Sequence, residues 1–337
     1  MAMHETHKPV LLGGLADEAA NQKTAMQQFC AFAALGLRYY TLRFIDAGTG
    51  AGIQNVMQLD PQGIENIRNL QKEYGLSVSS IGSPIGKVKL LDVEDGTNNR
   101  FVPFQDYLQK DVRRACDLAN QFDCKLIRGF SFYHPKGSDP HAHLPQAIDQ
   151  IGQITRMCDS YGLTYGLEVE ANLVGQTGKL LAKVHSAVAH PALVLVFDGA
   201  NLVCQGMSTD EVFEEYLAMK PGLGWIHVKD YKKPSNASSH VDEESLKAFV
   251  PANLGDSGHE AIFRDLMTNY PELVERLRAR GIPGLFVDLE PHVKGGGQFG
   301  GFSGPDGFGV ALRGLCKVLD YVGFPYKLRE FEDIRVS

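Results

Sequence analysis

Short apolar runs alternate along the chain with longer segments whose apolar residues recur at helical spacing. The runs are Pro9 to Gly13, Tyr39 to Ile45, Leu76 to Ile81, Lys125 to Phe130, Leu163 to Val169, Ala192 to Phe197, Gly224 to Val228 and Gly284 to Leu289. They are continuous rather than alternating, as expected of strands buried on both faces. Helical periodicity covers Pro61 to Tyr74, Phe104 to Gln121, Ala147 to Tyr161, Asp210 to Met219, His259 to Ala279 and Ala311 to Tyr321. Pro61 suits a first helical turn and Gly75 a C-terminal cap, while Gly162 and Gly281 end two helices just before a strand.

Eight buried strands alternating with helices predict a parallel sheet. At 337 residues the chain has the length of one closed (β/α)8 barrel, and a single domain over 1–337 is expected. The rival is an open, doubly wound sheet, which normally carries a glycine-rich phosphate loop after a strand. Neither GxGxxG nor GxxxxGKS/T occurs. Two segments fit no element: 85–100, and the glycine-rich 295–307 after the eighth strand. The second reads as a phosphate cradle, a lid or a packing loop. Lys229 to Leu254 is a long excursion after the seventh strand.

In a barrel, function concentrates where the strands end. The fifth strand ends in Glu168 and Glu170, which share parity and so share a face. The sixth ends in Asp198. The seventh carries His227 and Lys229 on one face, followed by Asp230. The eighth ends with Asp288, Glu290 and His292 in common parity. Four consecutive strands thus present Glu168, Asp198, His227 and Glu290 at equivalent levels. Converging buried carboxylates are costly unless a cation compensates them. Carboxylates with one imidazole suit Mn2+ first, with Mg2+ or Co2+ as alternatives, rather than a thiolate zinc site.

Glu170 reads either as a general base or as a partner for Arg43 or Lys229. Earlier strands supply candidate substrate contacts: Arg43 near the second, Arg128 on the fourth, and His134 at its exit. His141 and His143 are expected in the start of the following helix. Lys87, after the third strand, reads as an anion contact or a solvated lysine. Lys229 and Asp230 would position substrate or His227. His292 and Asn201 complete the substrate-binding candidates.

Bulk properties narrow the partners. Net charge is -7, which disfavours nucleic acid; there is no Lys/Arg run, and Lys232–Lys233 is only a pair, read as a solvated loop. Cys30, Cys116, Cys124, Cys158, Cys204 and Cys316 are scattered with no CxxC, as for thiols in a reducing compartment. Residues 1–10 lack a signal-peptide core, and no apolar run reaches membrane-span length. A cytoplasmic location is expected, with no membrane partner. A homo-oligomer or a small partner subunit is compatible with all of this.

The strand-end motifs Leu167-Glu168, Phe197-Asp198, Ile226-His-Val-Lys-Asp230 and Leu289-Glu290-Pro291 resemble those of the xylose-isomerase-like barrel superfamily, the sugar phosphate isomerases and epimerases. The resemblance implies metal ligands at Glu168, Asp198, His227 and Glu290. It also implies that Glu168 and Glu290 serve as the acid/base pair in a proton transfer beside a carbonyl through a metal-stabilised enediolate. Relatives also include metal-bearing subunits that cleave C-glycosides of 3-oxo-sugars, and dehydratases of inosose-like cyclitols; either is an alternative. A DNA-repair endonuclease of the superfamily uses three metals and many more His ligands than are seen here. A carbohydrate-binding barrel with a vestigial metal site is the non-enzymatic alternative. The chain departs from the common pattern at Asn201, where many relatives have His, and at Glu170, where many have a neutral residue or His.

Overall fold

The computed structural model describes residues 8–233, 245–295 and 301–334. Parts of three segments singled out above, 1–10, 229–254 and 295–307, therefore lie outside the described residues.

Eight strands form one parallel sheet: β1 (Leu11–Gly14), β2 (Tyr39–Leu42), β3 (Ser77–Ile85), β4 (Leu126–Gly129), β5 (Thr164–Glu168), β6 (Leu193–Asp198), β7 (Leu223–Val228) and β8 (Phe286–Leu289). Their order around the sheet is β1-β8-β7-β6-β5-β4-β3-β2, with every neighbouring pair parallel. A lone bridge between Leu15 and Thr41 joins the β1 and β2 edges and closes the barrel. Every residue of β4 to β8 is buried, as the continuous apolar runs require. Each expected strand is present, with shifted ends. The run through Ile45 stops at Leu42, and Phe44–Asp46 instead pairs antiparallel with Ile53–Asn55.

The expected helices form, with local corrections. Phe104 to Gln121 is helical throughout, with a π turn at Leu108–Val112. His259 to Ala279 is interrupted: His259–Leu266 and Tyr270–Ala279 are separated by a 3-10 turn at Met267–Asn269. Pro271 explains the break, since it cannot donate its nitrogen to a preceding carbonyl and fits only a first turn. Two further helices are Ala25–Ala34 and Gly178–Val188, capped by the Thr24 and Thr177 hydroxyls. The last four residues of the glycine-rich 295–307 segment open the helix Gly304–Val322.

The excursion after β3 is ordered. Gly86, with φ of 89°, carries the chain past β4, and a Cβ there would collide with the Phe130 carbonyl. Lys89 then bridges both Phe101 and Tyr133. Among the described residues no helix is long and apolar enough to cross a membrane.

Candidate metal centre and surrounding pocket

The β6–β7 register sets Asp198 beside His227, and the β7–β8 register sets Val228 beside Leu289, one residue before Glu290. Glu168 closes β5. One ligand atom from each of Glu168, Asp198, His227 and Glu290 lies within 4.8 Å of the others, and all four residues are buried. His227 Nδ1 is 3.2 Å from Glu168 Oε1 and 3.4 Å from Glu290 Oε2. The edge of the Trp225 ring system packs against the imidazole at 4.5 Å between centroids. This fixes the ring with its nitrogen toward the carboxylates.

Three cations surround the cluster. Lys229 Nζ is 3.1 Å from Asp198 Oδ2 and 3.3 Å from Glu290 Oε2. Arg128 lies 3.6 Å from Glu168 and 3.5 Å from Glu290. Arg43 donates to Glu290 Oε1 at 2.8 Å and grips Asp17 with Nε and Nη2 at 3.1 and 3.0 Å. Asp17 and Glu18, directly after β1, are fully buried. Glu18 accepts the His292 backbone N–H at 2.9 Å and approaches its Nδ1 at 2.7 Å. The link is tight enough to hold His292 at φ 52°, a conformation few residues with a Cβ adopt.

Charge in this network follows burial and partner. Burial opposes ionisation of Glu290, but Lys229, His227 and His292 outweigh it and hold the carboxyl well below the usual range. Glu168 is likewise lowered against burial by His227 and Arg128. Burial would discharge His227, yet Glu168 and Glu290 carry it up to about 10. Asp198 is the exception: burial pushes it up to about 6 despite Lys229.

The donor set fits a hard divalent ion. Three carboxylates and one imidazole converge on one point. Glu168 Oε2 is buried without a hydrogen bond, with Arg128 Nη1 3.6 Å away, which is costly unless a further partner arrives. The Lys229 ammonium, seated against two of the carboxylates, shows that the cluster already attracts positive charge.

A cavity of about 830 Å³ opens above the cluster. It is lined by every substrate-binding candidate read from the sequence: Arg43, Arg128, His134, Asn201, Lys229 and His292. Asn201 is held by the Val169 carbonyl at 3.0 Å. Glu170 also faces the cavity, but its partner is Lys87 at 2.7 Å, not Arg43 or Lys229. The strand ends at Glu168, so the parity that placed Glu170 beside it no longer governs. His134 stacks on His143 at 6.2 Å, and the Ser138 hydroxyl contacts both rings. Sequence reasoning missed Asp17 and Glu18. The available signal was two acidic residues within four positions of the end of an apolar strand.

Fold and site together define an eight-stranded α/β barrel with a buried carboxylate–imidazole centre at the C-terminal ends of its strands. The chain belongs to the xylose isomerase-like TIM-barrel family, whose model matches residues 29–315. Solved structures agree on the fold. One is a xylose isomerase-like TIM barrel protein from Mycobacterium smegmatis in complex with magnesium: 20% identity, TM-score 0.62, covering 93% of this chain and 96% of that one. The IolI protein with a bound zinc atom has 11% identity and TM-score 0.62, covering 93% and 99%. A D-tagatose 3-epimerase-like protein has 14% identity and TM-score 0.59, covering 93% and 98%. No curated protein matches the sequence significantly.

Proposed function

We propose that this protein is a divalent-metal-dependent isomerase or epimerase of sugars or polyols, with Glu168, Asp198, His227 and Glu290 as ligands. The observation that carries the reading is that Glu168 and Glu290, from strands that are not neighbours, converge on one imidazole nitrogen at 3.2 and 3.4 Å. Two carboxylates so placed bracket a small substrate. The magnesium and zinc of the related structures support a divalent ion, and the epimerase-like neighbour supports the reaction class. The oxygen-rich donor set favours Mn2+, Mg2+ or Co2+.

Bound there, the ion would polarise the substrate carbonyl and offset the negative charge of the enediolate. The protein's own groups do the rest. Glu168, ionised at neutral pH, removes the proton beside the carbonyl. Its return to the former carbonyl carbon, with the hydroxyl proton passing to the former carbonyl oxygen, isomerises the sugar; epimerisation instead returns a proton to the same carbon from the opposite face, where Glu290 would relay one taken up from solvent. Lys229 hydrogen-bonds Glu290 Oε2 at 3.3 Å and orients that carboxylate. Arg43 and Arg128 hold the carboxylates in place, and Asn201 and His292 face the substrate hydroxyls.

The test is a panel of ketoses, inososes and 3-oxo-glycosides incubated with Mn2+ in D2O. Deuterium should appear at a carbon next to the carbonyl. No exchange across the panel by metal-loaded protein would defeat the reading, and exchange accompanied by loss of water or aglycone would assign lyase chemistry instead.

A further inference from the structure

The cavity is larger than one sugar ring requires. At about 830 Å³ it approaches the top of the range of pockets that enclose drug-sized ligands, roughly 300–1,000 Å³. Glu168, Glu290 and Lys229 line one end. The other end is built from the excursion after β3 and the loop after β4, and is lined by Thr97, Asn98, Asn99, His134, Lys136 and Ser138.

This outer end is preformed. A single carboxylate, Asp95, ties its two loops together. It accepts the backbone N–H of Thr97 at 3.1 Å from one loop and that of Lys136 at 3.2 Å from the other. Lys89, itself bridged to Phe101 and Tyr133, pairs with Asp95 at 2.8 Å. The Lys89 and Thr97 side chains hold the Asp95 carboxyl well below its ordinary value, so the tie is ionic at neutral pH. A wall fixed in this way costs little ordering when a ligand binds.

Apart from Lys136, the wall carries two carboxamides, two hydroxyls and one imidazole. His134 Nδ1 lies 3.0 Å from the Pro135 carbonyl, which can only accept. The Ser138 hydroxyl lies 3.2 Å from the same nitrogen, which leaves Nε2 as the ring's open hydrogen-bonding position. That Nε2 is buried and has no hydrogen-bond partner. Asn98 and Asn99 add carboxamides that both donate and accept. Lys87, between the two ends, is neutralised by Glu170 at 2.7 Å and lies 4.4 Å from the Phe130 ring centre. Lys136 stands at the exposed rim. A phosphate would have to break the first pair or remain in solvent beside the second lysine. Hydroxyl groups, which both donate and accept, can meet the carboxamides and the unpartnered imidazole nitrogen directly.

We propose that the substrate carries a second, uncharged, hydroxylated ring: a disaccharide or comparable glycoside. Its reacting ring sits on the carboxylate cluster and its second ring in the outer end. This rests on the isomerase reading above and names its substrate class.

The experiment compares D-fructose, fructose 6-phosphate and lactulose, a keto-disaccharide, on the full chain with Mn2+. Deuterium exchange gives kcat/KM, and calorimetry gives Kd independently of turnover. Lactulose should exceed both others by at least about tenfold in each measure, the contribution of one or two well-made hydrogen bonds. The surface substitutions Asn98→Ala with Asn99→Ala, and separately His134→Ala, should lower the lactulose-to-fructose ratio about fivefold or more in both measures. Exchange on fructose with no preference for lactulose would overturn the inference and leave the isomerase reading standing. Preference for fructose 6-phosphate would also overturn it. Tight lactulose binding without exchange on any sugar would uphold the subsite and defeat the isomerase reading. Neither binding nor exchange would defeat both.

Discussion

Asp198 accepts the backbone N–H of Asn201 through Oδ1 at 3.2 Å and turns Oδ2 toward the carboxylate cluster. Capping the short helix Gly199–Val203 and ligating an ion are therefore not rival roles for this residue: the cap orients the second oxygen, which meets Lys229 at 3.1 Å. Asp198→Asn should keep the cap, since the amide oxygen also accepts, and lose the charge. In thermal unfolding, the wild-type chain should gain on the order of 5 °C in a hundredfold excess of Mn2+ over its Kd. Asp198→Asn should lose that gain while unfolding near the wild-type temperature without metal. A variant that kept the full metal-dependent rise would remove Asp198 from the ligand set.

Glu168 and Glu170 are separated by their partners. Glu168 sits on His227, and Glu170 on Lys87. Glu168→Gln should lower kcat by about 10²–10⁴-fold, the usual contribution of a positioned acid or base. Glu170→Gln should change KM instead and improve binding of fructose 6-phosphate, because Lys87 is released. If Glu170→Gln abolished solvent exchange while metal binding survived, Glu170 would be the base.

Arg43 is enclosed by Asp17, Glu18 and Glu290, all buried. Arg43→Met leaves these carboxylates facing one another, and denaturant unfolding should show a loss of about 3–5 kcal/mol. Adding Asp17→Asn should recover part of it, because the two sites share one network. A loss below about 1 kcal/mol for Arg43→Met would show that the network does not hold the site together.

Asp95→Ala should untie the outer wall without unfolding the barrel. Hydrogen exchange should speed up at the Thr97 and Lys136 amides, the two it accepts, and stay slow in β5 to β8. Unchanged exchange at both amides would mean that the loops are held by other contacts.

The four cluster residues were legible because each lies at the end of a buried strand, where parity fixes the inward face. Glu170 shows where that logic stops: past Glu168 the ladder ends, and side-chain direction is set by the loop. Asp17 and Glu18 follow β1 in a 3-10 turn, Ala16–Ala19, which has no two-residue period to read. Arg43 finds Asp17 because β1 and β2 meet when the barrel closes, a contact no local pattern encodes. The helices Ala25–Ala34 and Gly178–Val188 were not among the expected ones; their threonine caps were the available signal. Of the outer-end residues, His134 was readable at the exit of the fourth strand, whereas Thr97, Asn98, Asn99, Lys136 and Ser138 could be placed only once the strands had fixed where those loops begin.

The junction of β1 and β2 is bridged by Leu15 and Thr41 alone, the sparsest backbone pairing in the barrel. Side chains supply what the backbone does not. Arg43 at the β2 end clasps Asp17 at the β1 end. Thr41 donates at 2.8 Å to Asp288 of β8, reaching past Gly13, where any Cβ would strike that carboxylate. The last stave of the barrel is thus fastened by groups that also steady Glu290. Tuning the charge around Glu290 and loosening the hoop are one and the same act, so variants selected for altered chemistry should first betray themselves as leaks between β1 and β2.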